Sequence, residues 1–142
     1  MSKYMEEAVR LRKIVTPHYN CAQAVVLPFA LDAGMTQEMA YRFAANFGAG
    51  MKRAATCGAI AGGLMVLGLY GVEDPATISD YYNRLQKKHE SYLDCANLLR
   101  MNKEQGGEKK PHCDAMVFEC VELAEQILQE KGKLVEMELS GE

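Results

Sequence analysis

Five cysteines carry the reactive chemistry of this sequence: Cys21, Cys57, Cys95, Cys113 and Cys120. Four of them stand in similar local contexts, "NCAQAV", "TCGAIA", "DCANLL" and "HCDAMV", each directly after a residue able to begin a helix. Asn20, Thr56 and Asp94 are strong N-cap types, and His112, following Pro111, is a weaker one. Each of the four cysteines is therefore expected at the first position of a helix. Free backbone N–H groups and the positive end of the helix dipole stabilise a thiolate there, lowering its pKa. A thiolate is the nucleophile of thiol–disulfide exchange and also the form that binds metals.

Thiol–disulfide or electron-transfer chemistry is the first reading, with Cys57 as the attacking thiol because Gly58 lets a partner come close. The sequence has no C-x-x-C pair, so two exchanging thiols must come from different helices. A metal centre is the alternative. Four convergent thiolates repel one another unless a cation compensates, and Cys21, Cys57, Cys95 and Cys113 would form a ligand set for zinc or an iron–sulfur cluster. A third reading is non-enzymatic, a helical dimer whose cysteines are packed or sense oxidation.

Cys120 lies seven residues after Cys113, about 10 Å along a helix axis at 1.5 Å per residue. That is beyond the roughly 7 Å a disulfide tolerates between Cα atoms. Cys120 also falls in an apolar stripe and reads as core. His18, three residues before Cys21, and His112 are candidate bases or ligands, although both are also ordinary polar residues near helix starts. His89 falls on an apolar stripe and reads as a core histidine with a partner.

The elements that must position these residues are helical almost throughout. Tyr4, Ala8, Leu11 and Val15 recur with helical spacing behind Ser2 as a cap. A second helix is expected from Cys21 to Gly34, kinked or broken at Pro28. A third follows Thr36 with Met39, Phe43 and Phe47 as its apolar face. Asp74-Pro75 restarts the chain as N-cap and first helical residue, and Ile78, Tyr81, Tyr82, Leu85, His89 and Tyr92 trace one face. A short helical turn is expected at Cys95 and a long helix from about Cys113, with Met116, Val117, Cys120, Leu123, Ala124, Ile127 and Leu128 inside and Gly132 as its stop. The expected architecture is a compact all-α bundle of about five to six helices in one domain over residues 1–142, with residues 131–142 as a tail or short strand.

The uncharged run from Ala54 to Val72 contains five glycines after Cys57. Its glycines, Thr56, Cys57 and Tyr70 suit a buried helix better than a membrane span, which needs about 20 strongly apolar residues. Neither phosphate-loop spacing is present. Gly58 and Gly62, like Ala59 and Gly63, are four apart, so one helix face is nearly bare backbone and open to close packing, within the chain or against a second copy.

Charged residues are 25% of the chain and the formal net charge is −3. No basic stripe points to nucleic acid. The first residues mix charge throughout and lack an apolar signal segment. A cytoplasmic setting follows as the expectation, where thiols stay reduced.

The chain resembles the redox-active proteins named for the pattern C_GCAxxG_C_C. Cys21 stands as the first cysteine, "CGAIAG" from Cys57 to Gly62 reproduces the central motif, and Cys95 and Cys113 stand as the third and fourth. The similarity runs from about residue 5 to about residue 130 and leaves Cys120 outside the pattern. The resemblance implies redox activity carried by the four cysteines, with an unknown redox partner and no substrate attached. Some of these proteins are related to haem proteins, but the sequence has no C-x-x-C-H attachment motif, so covalent haem is not expected.

Overall fold

The computed structural model describes residues 1–134. Among them are seven α-helices: α1 (Lys3–Lys13), α2 (Cys21–Ala30), α3 (Gln37–Ala44), α4 (Gly58–Leu69), α5 (Pro75–Lys88), α6 (Cys95–Glu104) and α7 (Lys109–Glu130). The class is all-α as expected, with one helix more than the upper count. The expected tail or strand lies, from residue 135 on, outside the described residues.

Two helices that are apolar on every side, α2 and α4, form the centre, as all-round hydrophobicity requires. They pack against each other and both contact α7, while α1 lies against α2 and α7 and α3 lies on α2. The buried stripe of α7 is the expected one, Met116 to Leu128, and Cys120 within it has no exposed surface. Four of the expected caps are real. The side chains of Ser2, Asn20, Thr36 and Asp74 accept hydrogen bonds from the N–H groups of Met5, Gln23, Met39 and Thr77.

Gly58, Gly62 and Gly63 of α4 are packed tightly against other parts of this chain. A Cβ on Gly62 would meet the Ala22 carbonyl and Val25 of α2, and one on Gly63 would collide with the Tyr81 hydroxyl of α5. Of the two readings of this face, packing within the chain or against a second copy, the contacts of Gly62 and Gly63 are with this chain's own α2 and α5. No described helix is long and apolar enough to cross a membrane.

Several faces differ from expectation. Helix α3 buries Ala40 and Ala44, while Met39 and Phe43 are 55% and 56% exposed. The small alanine side allows the closer approach to α2, and only Phe47, carried past the helix end by a tight turn, packs on the core. Val15 is exposed because α1 stops at Lys13. Helix α2 runs unbroken through Pro28 but ends at Ala30, four residues before Gly34. Helix α5 ends at Lys88, with Glu90 and Ser91 in left-handed conformations, so Tyr92 lies beyond it. His89 closes α5 and sits 2.8 Å, Nε2 to Oε1, from Glu119 of α7.

Candidate functional site

Three connections set the cysteines in place. Asn20 caps α2 reciprocally: its side chain accepts from the Gln23 N–H, and the Gln23 side chain accepts from the Asn20 N–H. The same two side chains donate to the carbonyls of Ala45 and Tyr41, tying the start of α2 to α3 and the turn after it. Cys21 follows at the first position of α2.

The second connection is an isolated antiparallel bridge between Thr56 and Asp94. The Cys57 N–H donates to the Leu93 carbonyl at 2.9 Å, and the Cys95 N–H donates to the Ala55 carbonyl at 2.7 Å. Alternate residues of a bridged pair face the same side, so the two cysteines that flank the bridge share a side. Thr56 is therefore a bridge residue, and Cys57 itself is the N-cap of α4 while Cys95 opens α6.

Arg12 makes the third. Its Nε lies 2.7 Å from Asp114 of α7, and its Nη1 donates to the Tyr19 carbonyl at 2.8 Å, two residues before Cys21. Lys110 also reaches Asp114, at 3.1 Å.

Cys113 is not at a helix start. Helix α7 begins four residues earlier, at Lys109, because a proline in the first turn loses no intrahelical bond: the first four N–H groups have no partner in any case. The cap role expected of His112 is therefore absent.

The four cysteines nevertheless come together. Cys21, Cys57, Cys95 and Cys113 all line one cavity of about 380 Å3. Leu98, Leu99 and Met116 supply apolar wall, and His18, His112, Arg12, Lys109 and Lys110 supply nitrogen groups. Cys120 does not line it; it lies in the core with no exposed surface, beside Tyr81. Cys21 is central to the group. A negative charge there would raise Cys57, Cys95 and Cys113, and its Sγ lies over Gly58, where an added Cβ would come within 2.5 Å of the sulfur. All five cysteines are free thiols.

Electrostatics here reverse the expectation of a polarised thiolate at Cys57. Burial pushes that thiol from an ordinary 9.0 up to about 12, and the charges of Cys21 and Cys95 add to it. The amides of Ile60 and Ala59 at the start of α4 pull the other way without offsetting it. A helix end contributes roughly 0.3–1 kcal/mol to a charge, whereas full burial can shift a pKa by about 3–5 units, so burial wins. Cys95 and Cys113 are also raised, by burial first and then by Cys21; Lys109 opposes the shift at both, and Arg12 at Cys113. His112 is shifted down by burial and by His89, against Glu119, so it is largely neutral at pH 7.

Among the described residues no three His, Cys, Asp or Glu side chains stand close enough together to hold a metal ion. The four-thiolate ligand set expected on the alternative reading is not preassembled. Sequence reasoning also missed a backbone feature beside the cavity. Ala49, Gly50, Met51 and Lys52 are successive left-handed residues, a conformation that costs roughly 1–2 kcal/mol for each non-glycine residue. A Cβ on Gly50 would press on the backbone of Ala55 and on Cys95.

The sequence pattern of the family described as "Putative redox-active protein (C_GCAxxG_C_C)" matches residues 19–127. The chain belongs to that family. No curated protein and no solved structure matches the chain. In this member of the C_GCAxxG_C_C family, the matched span contains Cys21, Cys57, Cys95 and Cys113, the four cysteines that line the cavity. Arg12, Lys109 and Lys110 were not found from the pattern. Arg12 had a readable signal, because it stands eight residues after Tyr4 and four after Ala8, on the buried side of α1.

The raised thiol at Cys57 predicts a pH dependence of stability. Between pH 9 and 12 the native thiol keeps a proton that the unfolded chain has lost, so its contribution is full below pH 9 and falls as pH rises. The loss reaches on the order of 4 kcal/mol at pH 12. Urea denaturation of Cys57→Ala should therefore show a shallower alkaline decline than the parent protein; an identical slope would contradict the assigned shift.

Proposed function

We propose that this protein is a thiol–disulfide redox protein in which two cavity thiols exchange with an external disulfide, with Cys21 as the common partner. The observation that supports it is the position of Cys21, which lines the cavity with the other three cysteines, where a negative charge would raise each of them, and whose sulfur lies over Gly58, next to Cys57. Cys21, Cys95 and Cys113 are all partly exposed, and of these Cys95 and Cys113 are the two on which the Lys109 charge acts, so attack on an incoming disulfide begins there. Cys57 is buried and its raised pKa keeps it protonated at neutral pH; it serves as an interior partner for Cys21. Neutral His112, in the cavity wall beside Cys113, accepts the proton of the attacking thiol.

One cysteine thiolate attacks a sulfur of the external disulfide, the S–S bond breaks, and a mixed disulfide forms as one thiolate leaves. Cys21 then attacks the protein sulfur of that mixed disulfide and expels the second thiolate. Two cysteines are oxidised, one external disulfide is reduced, and the two protein protons pass to the two released thiols.

Peptide mapping by mass spectrometry after mild oxidation tests the assignment. The parent protein should lose two free thiols to one internal disulfide that contains Cys21. Cys21→Ser should abolish that bond and trap mixed disulfides instead, whereas Cys120→Ser should leave it intact. An internal disulfide formed equally fast in Cys21→Ser would refute the role of Cys21.

A further inference from the structure

We infer that the disulfide taken by the cavity is a small anionic molecule and that Lys109 selects it. The inference rests on the exchange reading above and adds the substrate class. The cavity admits only small molecules. The space is about 380 Å3, Cys57 is 7% exposed, and the other three thiols are partly buried within the same walls. A slender disulfide can reach sulfurs so placed; one held on the surface of a folded protein is kept out by its own surroundings.

The cavity walls are positively charged. None of the lining residues is acidic, and three are cations: Arg12, Lys109 and Lys110. Arg12 and Lys110 share a single carboxylate, Asp114, which leaves one positive charge in excess. Lys109, at the exposed first position of α7, has no carboxylate partner among the described residues. Its charge reaches both Cys95 and Cys113, the thiols at which exchange begins. The remaining wall is apolar, from Leu98, Leu99 and Met116, and suits the carbon body of such a molecule. The anionic disulfide is the oxidant: it is reduced to two thiols as two cavity cysteines join in one disulfide.

Two reagents separate substrate charge from thiol reactivity. The dianionic 5,5′-dithiobis(2-nitrobenzoate) and the neutral 4,4′-dithiodipyridine both release a coloured thiol on exchange. Removing Lys109 slows both in so far as it makes Cys95 and Cys113 less acidic, so the ratio of the two rates isolates substrate charge. In Lys109→Glu the rate with the anionic reagent should fall by roughly fivefold or more relative to the neutral one. Lys109→Gln should fall by less, and added salt should shrink the ratio in the parent protein. An acidic residue at a helix start suits the dipole, so the Glu variant folds.

A ratio unchanged in both variants would overturn the inference, as would faster exchange with the disulfides of insulin than with either small reagent. The underlying exchange reading has its own readout. If the anionic preference is present but mass spectrometry finds only mixed adducts and no internal disulfide, the cavity selects anions and the dithiol cycle fails. An internal disulfide with no charge preference would retain the cycle and remove the substrate class.

Discussion

Gly63→Ala is expected to cost about 2 kcal/mol or more of folding stability, although alanine is the better helix former. A methyl group at this position collides with the Tyr81 hydroxyl and ring. Tyr81 has no exposed surface, and its hydroxyl donates to the Ile60 carbonyl at 2.8 Å. The ring cannot rotate away without leaving polar atoms unpaired in the core. Overpacking costs about 1–3 kcal/mol, and an unsatisfied buried group costs about 1–3 kcal/mol more. The helix-propensity gain of about 1 kcal/mol returns only part of this.

Gly68 is the internal control. It lies in the same helix, and a Cβ there meets nothing within 4 Å. Gly68→Ala should raise the urea midpoint, with a gain of about 0.5–1 kcal/mol. Equal midpoints for the two variants would show that the close approach of α5 to α4 is wrong. Tyr81→Phe combined with Gly63→Ala should cost less than the sum of the two single changes, because removing the hydroxyl relieves the collision it also causes.

Arg12→Ala is expected to be comparably damaging, at about 3 kcal/mol, and to reach the chemistry as well. Arg12 is 9% exposed. Its removal leaves the Tyr19 carbonyl without its donor and Asp114 with only the exposed Lys110. Breaking one side of a buried pair costs about 3–5 kcal/mol; partial exposure of Asp114 and the remaining lysine place this case at the lower end. The Tyr19 carbonyl lies two residues before Cys21, so the same change loosens the start of α2. Slower formation of the Cys21 disulfide should accompany the lower urea midpoint. Arg12→Lys keeps the charge but cannot serve Asp114 and Tyr19 together, so it should recover only part of both losses. Parent-like disulfide formation in Arg12→Ala would show that α1 does not position the site.

Much of the helical layout was legible from local signals. Ser2, Asn20, Thr36 and Asp74 act as caps because a side-chain oxygen satisfies an N–H three residues on, an interaction contained within one turn. The stripe from Met116 to Leu128 was readable because spacing alone places those residues on one face. The faces of α3 and the start of α7 were misread for reasons that lie outside those segments. Which side of α3 is buried depends on how closely α2 approaches, and alanine permits a closer contact than phenylalanine. Residues before Pro111 become helical because a first-turn proline has no intrahelical bond to lose.

The sequence by itself determined an all-α chain with four family cysteines near helix starts and a fifth, Cys120, in an apolar stripe. Its tertiary structure decided that Cys21, Cys57, Cys95 and Cys113 share one cavity, because a bridge between Thr56 and Asp94 and the bonds of Asn20 and Arg12 join segments far apart in the chain. It also decided the sign of the shift at Cys57. A helix dipole can be read from local sequence, but desolvation depends on what packs over the sulfur, and in this fold that packing outweighs the dipole.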